Sequence, residues 1–186
     1  GFRLTAVNDS AAPVTLTIRA EALACDGRCR DLGVVTADID IAAAMPVLQT
    51  GSLAADEILV FNWHDGAQEN ANPDTVDQLA GEDHLAPRPY KELPLLDPVI
   101  QMQVSRKGQA FQITLMAEKP AFFVAVEADC DGRFSDNAVL LRPGVRRDIT
   151  FIPADAEADV NTAPDARDKP NFTIRHLHAA TYNNKL

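Results

Sequence analysis

Twenty-seven Asp and Glu residues stand against seventeen Lys and Arg in this 186-residue chain, so carboxylates are the first chemistry to weigh. Glycoside hydrolysis uses two carboxyl groups held roughly 5–9.5 Å apart, one protonated and one ionised. Asp129, Asp131 and Asp136 lie close in sequence, as do Glu82 and Asp83. Both sets fall in expected turns, where a carboxylate is solvated and accepts hydrogen bonds from neighbouring backbone. Such groups lack the perturbed pKa that acid–base work requires, so no catalytic pair is expected among them. Asp129-Cys130-Asp131-Gly132 has the opening of a calcium loop, but that pattern needs an oxygen ligand at its fifth position and Gly at its sixth. Gly132 is fourth and Arg133 fifth, and the flanks read as strands, so a β-turn is expected instead.

Nitrogen and sulfur offer less. The histidines are His64, His84, His176 and His178. His176 and His178, two apart on a strand, would point the same way, as half of a zinc site does. A third ligand would have to come from far along the chain, such as His84 or Asp83, and no Cys/His cluster supports it; no metal is expected. Cys25, Cys29 and Cys130 make an odd count that fits no full disulfide framework, although Cys25 and Cys29 flank a turn and could pair. Ser-His-Asp and Cys-His nucleophile arrangements have no local signature. The nine glycines are scattered singly through turns, so no phosphate loop and no cofactor is expected. Asn8-Asp9-Ser10 and Asn171-Phe172-Thr173 match the N-glycosylation acceptor pattern. Trp63, the one tryptophan, stands where a strand enters a long polar stretch. It is expected to cap a sandwich core, with stacking on a sugar as the alternative.

The elements that would position these residues are strands. Val14, Leu16, Ile18, Ala20 and Ala22 alternate with Thr15, Thr17, Arg19 and Glu21, giving one dry and one wet face. Val35 to Ile41 alternates likewise, Phe2 to Val7 opens the chain as a strand, and Ile58 to Trp63 is an apolar run suited to a buried one. That makes four strands by residue 63, where an immunoglobulin-like sandwich wants about seven in ~100 residues. The first unit, 1–63, is therefore expected to be partial, with one or more N-terminal strands upstream of Gly1. Residues 64–89 are acidic and amide-rich and close on Pro87-Arg88-Pro89, which predicts a long connecting loop. Alternation resumes over 90–186, with strands at Ile100–Val104, Phe111–Leu115, Phe122–Ala128, Val139–Leu141 and Ile149–Ile152. After a second polar loop, Pro153 to Pro170, a last strand is expected through Phe172, Ile174 and Leu177. Short strands with turns every 8–12 residues predict an all-β protein of two immunoglobulin-like β-sandwich units.

Bulk properties narrow the function. A hydrophobic share of 46% argues against disorder. A net charge of −10 argues against nucleic acid and anionic membrane surfaces as partners. No apolar run approaches the ~20 residues needed to cross a bilayer, and no basic and apolar leader opens the chain. At 186 residues the chain is too short for a TIM barrel of about 250.

One stretch is more specific. Gly132-Arg133-Phe134-Ser135-Asp136-Asn137, then Val139-Leu140-Leu141-Arg142-Pro143-Gly144, then Ile149-Thr150-Phe151, resembles the C-terminal immunoglobulin-like domain of glycoside hydrolase family 2 β-mannosidases. Tyr90 to Leu95 and Pro98-Val99-Ile100 look like the lead-in to that domain, and residues 1–62 look more loosely like the one before it. Ala138 departs from the aromatic that tends to follow the Asn in that family. Phe134, Ser135, Asp136, Asn137, Pro143 and Gly144 are read as a structural corner, with Phe134 anchored in the core and the Asp and Asn bonded to local backbone. The resemblance implies that this chain is a non-catalytic accessory region supporting an upstream barrel that hydrolyses terminal β-D-mannose. Both catalytic glutamates would lie on that barrel; Glu57, Glu92, Glu118 and Glu127 fall on the sandwich, and none carries over. It also implies export to a periplasmic or extracellular compartment, or a lysosomal one in a eukaryote. The alternatives are a carbohydrate-binding or purely structural sandwich, with Trp63, Tyr90 and Phe61 as candidate sugar contacts. An aromatic content of 6% is low for a sugar platform.

Overall fold

In the computed structural model, which describes residues 1–66, 80–154 and 169–183, the period-two pattern around Ile18 becomes a long central strand. The chain divides into two units, Gly1–Pro94 and Leu95–Leu186. The first holds β1 (Arg3–Val7), β2 (Val14–Ala24), β3 (Cys29–Ile39), β4 (Ala44–Gln49), β5 (Glu57–Asp65) and β6 (Ala80–Leu85). Strands β3-β2-β5-β6 make one antiparallel sheet and β1-β4 a second, two-stranded one. Ala6, Ile18 and Ile39 are buried at the centre, with Leu4, Leu16, Val35, Val47 and Trp63 packed around them.

Six strands replace the four expected there, and the two additions have physical reasons for being hard to see. β4 contains Pro46, which lacks a ladder donor and marks an edge; it sits opposite Thr5 at a register shift in β1-β4. β6 reads Ala-Gly-Glu-Asp-His-Leu, with no apolar alternation, because it is an edge strand carrying charge. Residues 64–89 are thus not one loop: His64 and Asp65 finish β5, and Ala80–Leu85 pair back onto it. Positions 67–79 of that expected loop lie outside the described residues.

The second unit holds β7 (Ile100–Lys107), β8 (Ala110–Ala117), β9 (Ala121–Ala128), β10 (Gly132–Phe134), β11 (Val139–Leu141), β12 (Arg147–Pro153) and β13 (Phe172–Arg175). They form two sheets, β10-β12-β8-β7 and β11-β9-β13. Ile113, Leu115, Val124, Ile149 and Phe151 fill the core at 0–1% exposure. Leu177 does not continue the last strand. β13 ends at Arg175, and the chain turns into a short helical segment with a π-helix at Ala179–Asn183. Most of the second polar loop falls outside the described residues. No helix among the described residues is long and apolar enough to cross a membrane.

Ile113 has no exposed surface and lies in the central ladder of its sheet, paired with Ile149 on one side and Val104 on the other. Ile113→Ala leaves a cavity there and should cost about 2–5 kcal/mol. Urea unfolding checks this: the midpoint should fall with the slope unchanged.

Candidate functional site

The corner between β10 and β11 is built on one ring. Phe151 on β12 is 1% exposed and packs against Phe134 at 4.7 Å between centroids and edge-on against Phe172 at 5.4 Å. Gly132, paired with Pro153, lies against the ring: a Cβ there would collide with the Phe151 ring and the Ile152 carbonyl, so the position accepts no side chain without a shift. Ser135 then prolongs the β10–β12 ladder. Its N–H donates to the Thr150 carbonyl at 2.8 Å, and its hydroxyl accepts from the Thr150 N–H at 2.9 Å.

Asp136 and Asn137 turn the chain towards the other sheet. Asp136 accepts from the Asn137 N–H and from the Arg147 guanidinium. The Asn137 side chain clasps the backbone of Val126, accepting its N–H at 2.8 Å and donating to its carbonyl at 3.0 Å. Because β11 pairs Val139 with Val124, this amide occupies the next pairing position along β9 and stands in for a strand residue. Ala138 follows with φ of 57°, in the left-handed region. The Pro-Gly turn closes the far end of β11. Arg142 and Val145 are its hydrogen-bonded ends, Pro143 and Gly144 its centre, and the Gly144 φ of 70° is what a type II turn demands. Gly144 N–H also donates to the Ala117 carbonyl.

Trp63 and Tyr90 are not brought together. Trp63 pairs with Gly81 across β5–β6, and Phe61 on the same face stacks on it at 6.0 Å. The Gly81 backbone covers the indole so closely that a Cβ there would overlap it. Tyr90 instead meets His84 edge-on at 5.8 Å. His84 pairs with Val60, one residue out of phase with Phe61 and Trp63, so it lies on the opposite face of the sheet. Burial pushes the Tyr90 phenol up and the His84 imidazole down. On the Trp63 face a cleft of about 390 Å³ opens between β1 and the larger sheet, floored by Leu16, Ile18 and Val47 and walled by Phe61 and Trp63.

Two of the turn carboxylates bond to neighbouring backbone. Asp129 accepts from the Asn171 N–H, and Asp83 from the His84 N–H. Arg30 holds Glu57, whose side chain is 10% exposed, at 2.7 Å and keeps its carboxyl below the usual range, helped by the Ala54 N–H. Arg146, then Thr114 and Gln112, do the same for Asp148 against the opposing effect of burial. Neither has the raised pKa of a general acid. Burial, with Asp56 and Asp26, pushes the Cys25 thiol up to about 11, so it is no thiolate nucleophile at neutral pH. Cys25 and Cys29 are not bridged, and the β2–β3 register sets Cys29 against Leu23. His176 and His178 do stack, at 6.2 Å and 9°, but beyond the end of β13, and no group of three metal-ligating residues exists among those described. Asn8 is buried with its amide donating to Ala12, Ile39 and Asp40 carbonyls, whereas Asn171 is exposed.

Residues 95–180 match the Ig_mannosidase family, an Ig-fold domain, and this match begins at the residue where the second unit begins. The second unit is thus similar to a mannosidase-type immunoglobulin-fold domain. The chain is 28% identical to β-mannosidase A of Aspergillus terreus over 114 residues, 61% of this chain and 11% of that protein. Two solved structures share its fold across 94% of its length at a TM-score of 0.62. They are the exo-chitosanase of Amycolatopsis orientalis, at 13% identity and 24% of that chain, and the β-D-mannosidase of Dictyoglomus thermophilum, at 17% and 20%. The chain thus spans about a tenth of the curated relative and under a quarter of these two structures.

What local sequence could not supply in this domain is partnership across strands. Arg147 is eleven residues from Asp136, and Val126 eleven from Asn137. Removing the Asn137 clasp strands two part-buried backbone groups, so Asn137→Ala should cost about 1–3 kcal/mol. Asp136→Asn breaks an ion pair whose side chains are over 40% exposed and should change stability by less than about 1 kcal/mol. Urea titration of both variants checks the order; equal costs would refute the clasp. The lowered carboxyls set an acid limit. Folded pKa values below the unfolded ones add stability that is complete above the unfolded carboxylate range and lost as pH falls through the folded values. The urea midpoint should therefore drop between about pH 5 and pH 3, less steeply in Glu57→Gln than in the wild type.

Proposed function

We propose that this chain is the non-catalytic C-terminal accessory region of a β-mannosidase, an exo-hydrolase of terminal β-D-mannose residues, and that it supports the catalytic barrel of the same polypeptide. The observation that carries this reading is the coincidence of the mannosidase Ig-fold match, 95–180, with the second unit. The partial match to a β-mannosidase, of which the aligned segment is 11%, supports it. The corner residues fit a supporting role, since each spends its polar atoms on backbone or on a neighbouring strand. Glu57 and Asp148, paired to Arg30 and Arg146, have lowered pKa values that suit holding strands together rather than donating a proton.

Hydrolysis of a chromogenic β-mannoside tests this. The purified 186-residue chain should give no turnover above the buffer rate, while the intact polypeptide from its source should turn over. Turnover by the isolated chain, with no larger band on a denaturing gel, would overturn the accessory reading.

A further inference from the structure

The cleft of the first unit has an unusual wall: all five residues of β1, Arg3 to Val7, line it. Successive side chains of a strand point to opposite faces, so a cavity touching all five runs along the strand's edge and not across one face. The ladder says which backbone groups meet that edge. The Phe2 carbonyl accepts from the Thr50 N–H, and the Asn8 N–H donates to the Ala43 carbonyl, so the even-numbered residues face β4. In an antiparallel pair the alternate residues then turn their N–H and C=O outward. These are Arg3, Thr5 and Val7, and β1 has no second strand neighbour among the described residues. Thr5 stands opposite Pro46 in a pair that exchanges no hydrogen bonds across β1–β4.

We propose that this open edge accepts an added β-strand, supplied by a segment of the same longer polypeptide outside residues 1–186; the proposal rests on the accessory-region reading above. The added strand would bond to the outward groups of Arg3, Thr5 and Val7. Its inward side chains would be apolar, filling the cleft against Phe61 and Trp63 as strand-addition partners fill alternate pockets. Charge selects the occupant further. Arg3 has no ion-pair partner among the described residues of a chain carrying −10, so a carboxylate on the incoming strand meets an unused cation. A second copy of β1 fits worse, because it brings another Arg3 and no carboxylate.

Amide hydrogen exchange on the intact polypeptide and on the 186-residue chain tests the proposal. The Arg3, Thr5 and Val7 amides should exchange at least about 100-fold more slowly in the intact protein. Thr5→Pro removes one outward donor. It should lower the melting temperature of the intact protein more than Thr5→Ala does, while the two variants behave alike in the 186-residue chain. Equal, fast exchange in both proteins would overturn the added strand and leave the accessory reading standing. Protection in the 186-residue chain that grows with its concentration would assign the edge to a second copy and also overturn it. An intact protein of only 186 residues would sink both readings.

Discussion

Phe151 sets the constraint on which the second unit depends. A ring at 1% exposure must be covered on every side, and here Phe134 and Phe172 approach from two different sheets while Gly132 covers it from β10. Phe111 extends the cluster through Phe172, at 6.0 Å. Once those rings are placed, the route of the chain from Gly132 to Asn137 is fixed. β10 can run beside β12 only if residue 132 has no side chain, and the turn after it must carry the chain from one sheet to the other. Asn137 completes that crossing by lending its amide to the edge of β9 before β11 takes over the pairing.

The first unit repeats the device in its own terms. Trp63 is the large ring, and Gly81 on the neighbouring strand is the residue that lets backbone lie on it. The difference lies in the other sheet. Among the described residues β1 and β4 oppose four strands, so the indole and Phe61 are closed over on the β6 side and face a cleft on the β1 side. A half-buried aromatic pair beside an open strand edge is a place where further chain can pack.

The distribution of charge agrees with a supporting role. Arg28 and Arg30 at the β2–β3 hairpin gather Asp26, Asp56 and Glu57. Arg146 and Arg147 bind carboxylates within the second unit. These pairs tie strands and turns together, and the guanidinium groups of Arg30 and Arg146 hold Glu57 and Asp148 below the usual carboxylate range. Catalytic carboxylates need environments that drive their pKa values apart. The second unit matches the mannosidase Ig-fold family over residues 95–180, and within it the Ser135, Asp136 and Asn137 side chains bond to the domain's own backbone and to Arg147.

The sequence by itself determined the fold class and most of the strands, because a strand with one buried face must alternate, as β2, β7 and β8 do. It also marked the Phe134 to Asn137 corner and the Pro143-Gly144 turn, since turn residues act over two or three positions and leave a local signature. Edge strands escaped it. β6 is polar and β4 carries Pro46, and their pairing is decided by the partner strand rather than by their own pattern. Tertiary structure alone decided which face Trp63 takes relative to Tyr90, which ring Gly81 and Gly132 must accommodate, and which edge of β1 meets no strand among the described residues. Each depends on register between segments 15 to 50 residues apart, and a shift of one residue in that register would turn every side chain to the other face.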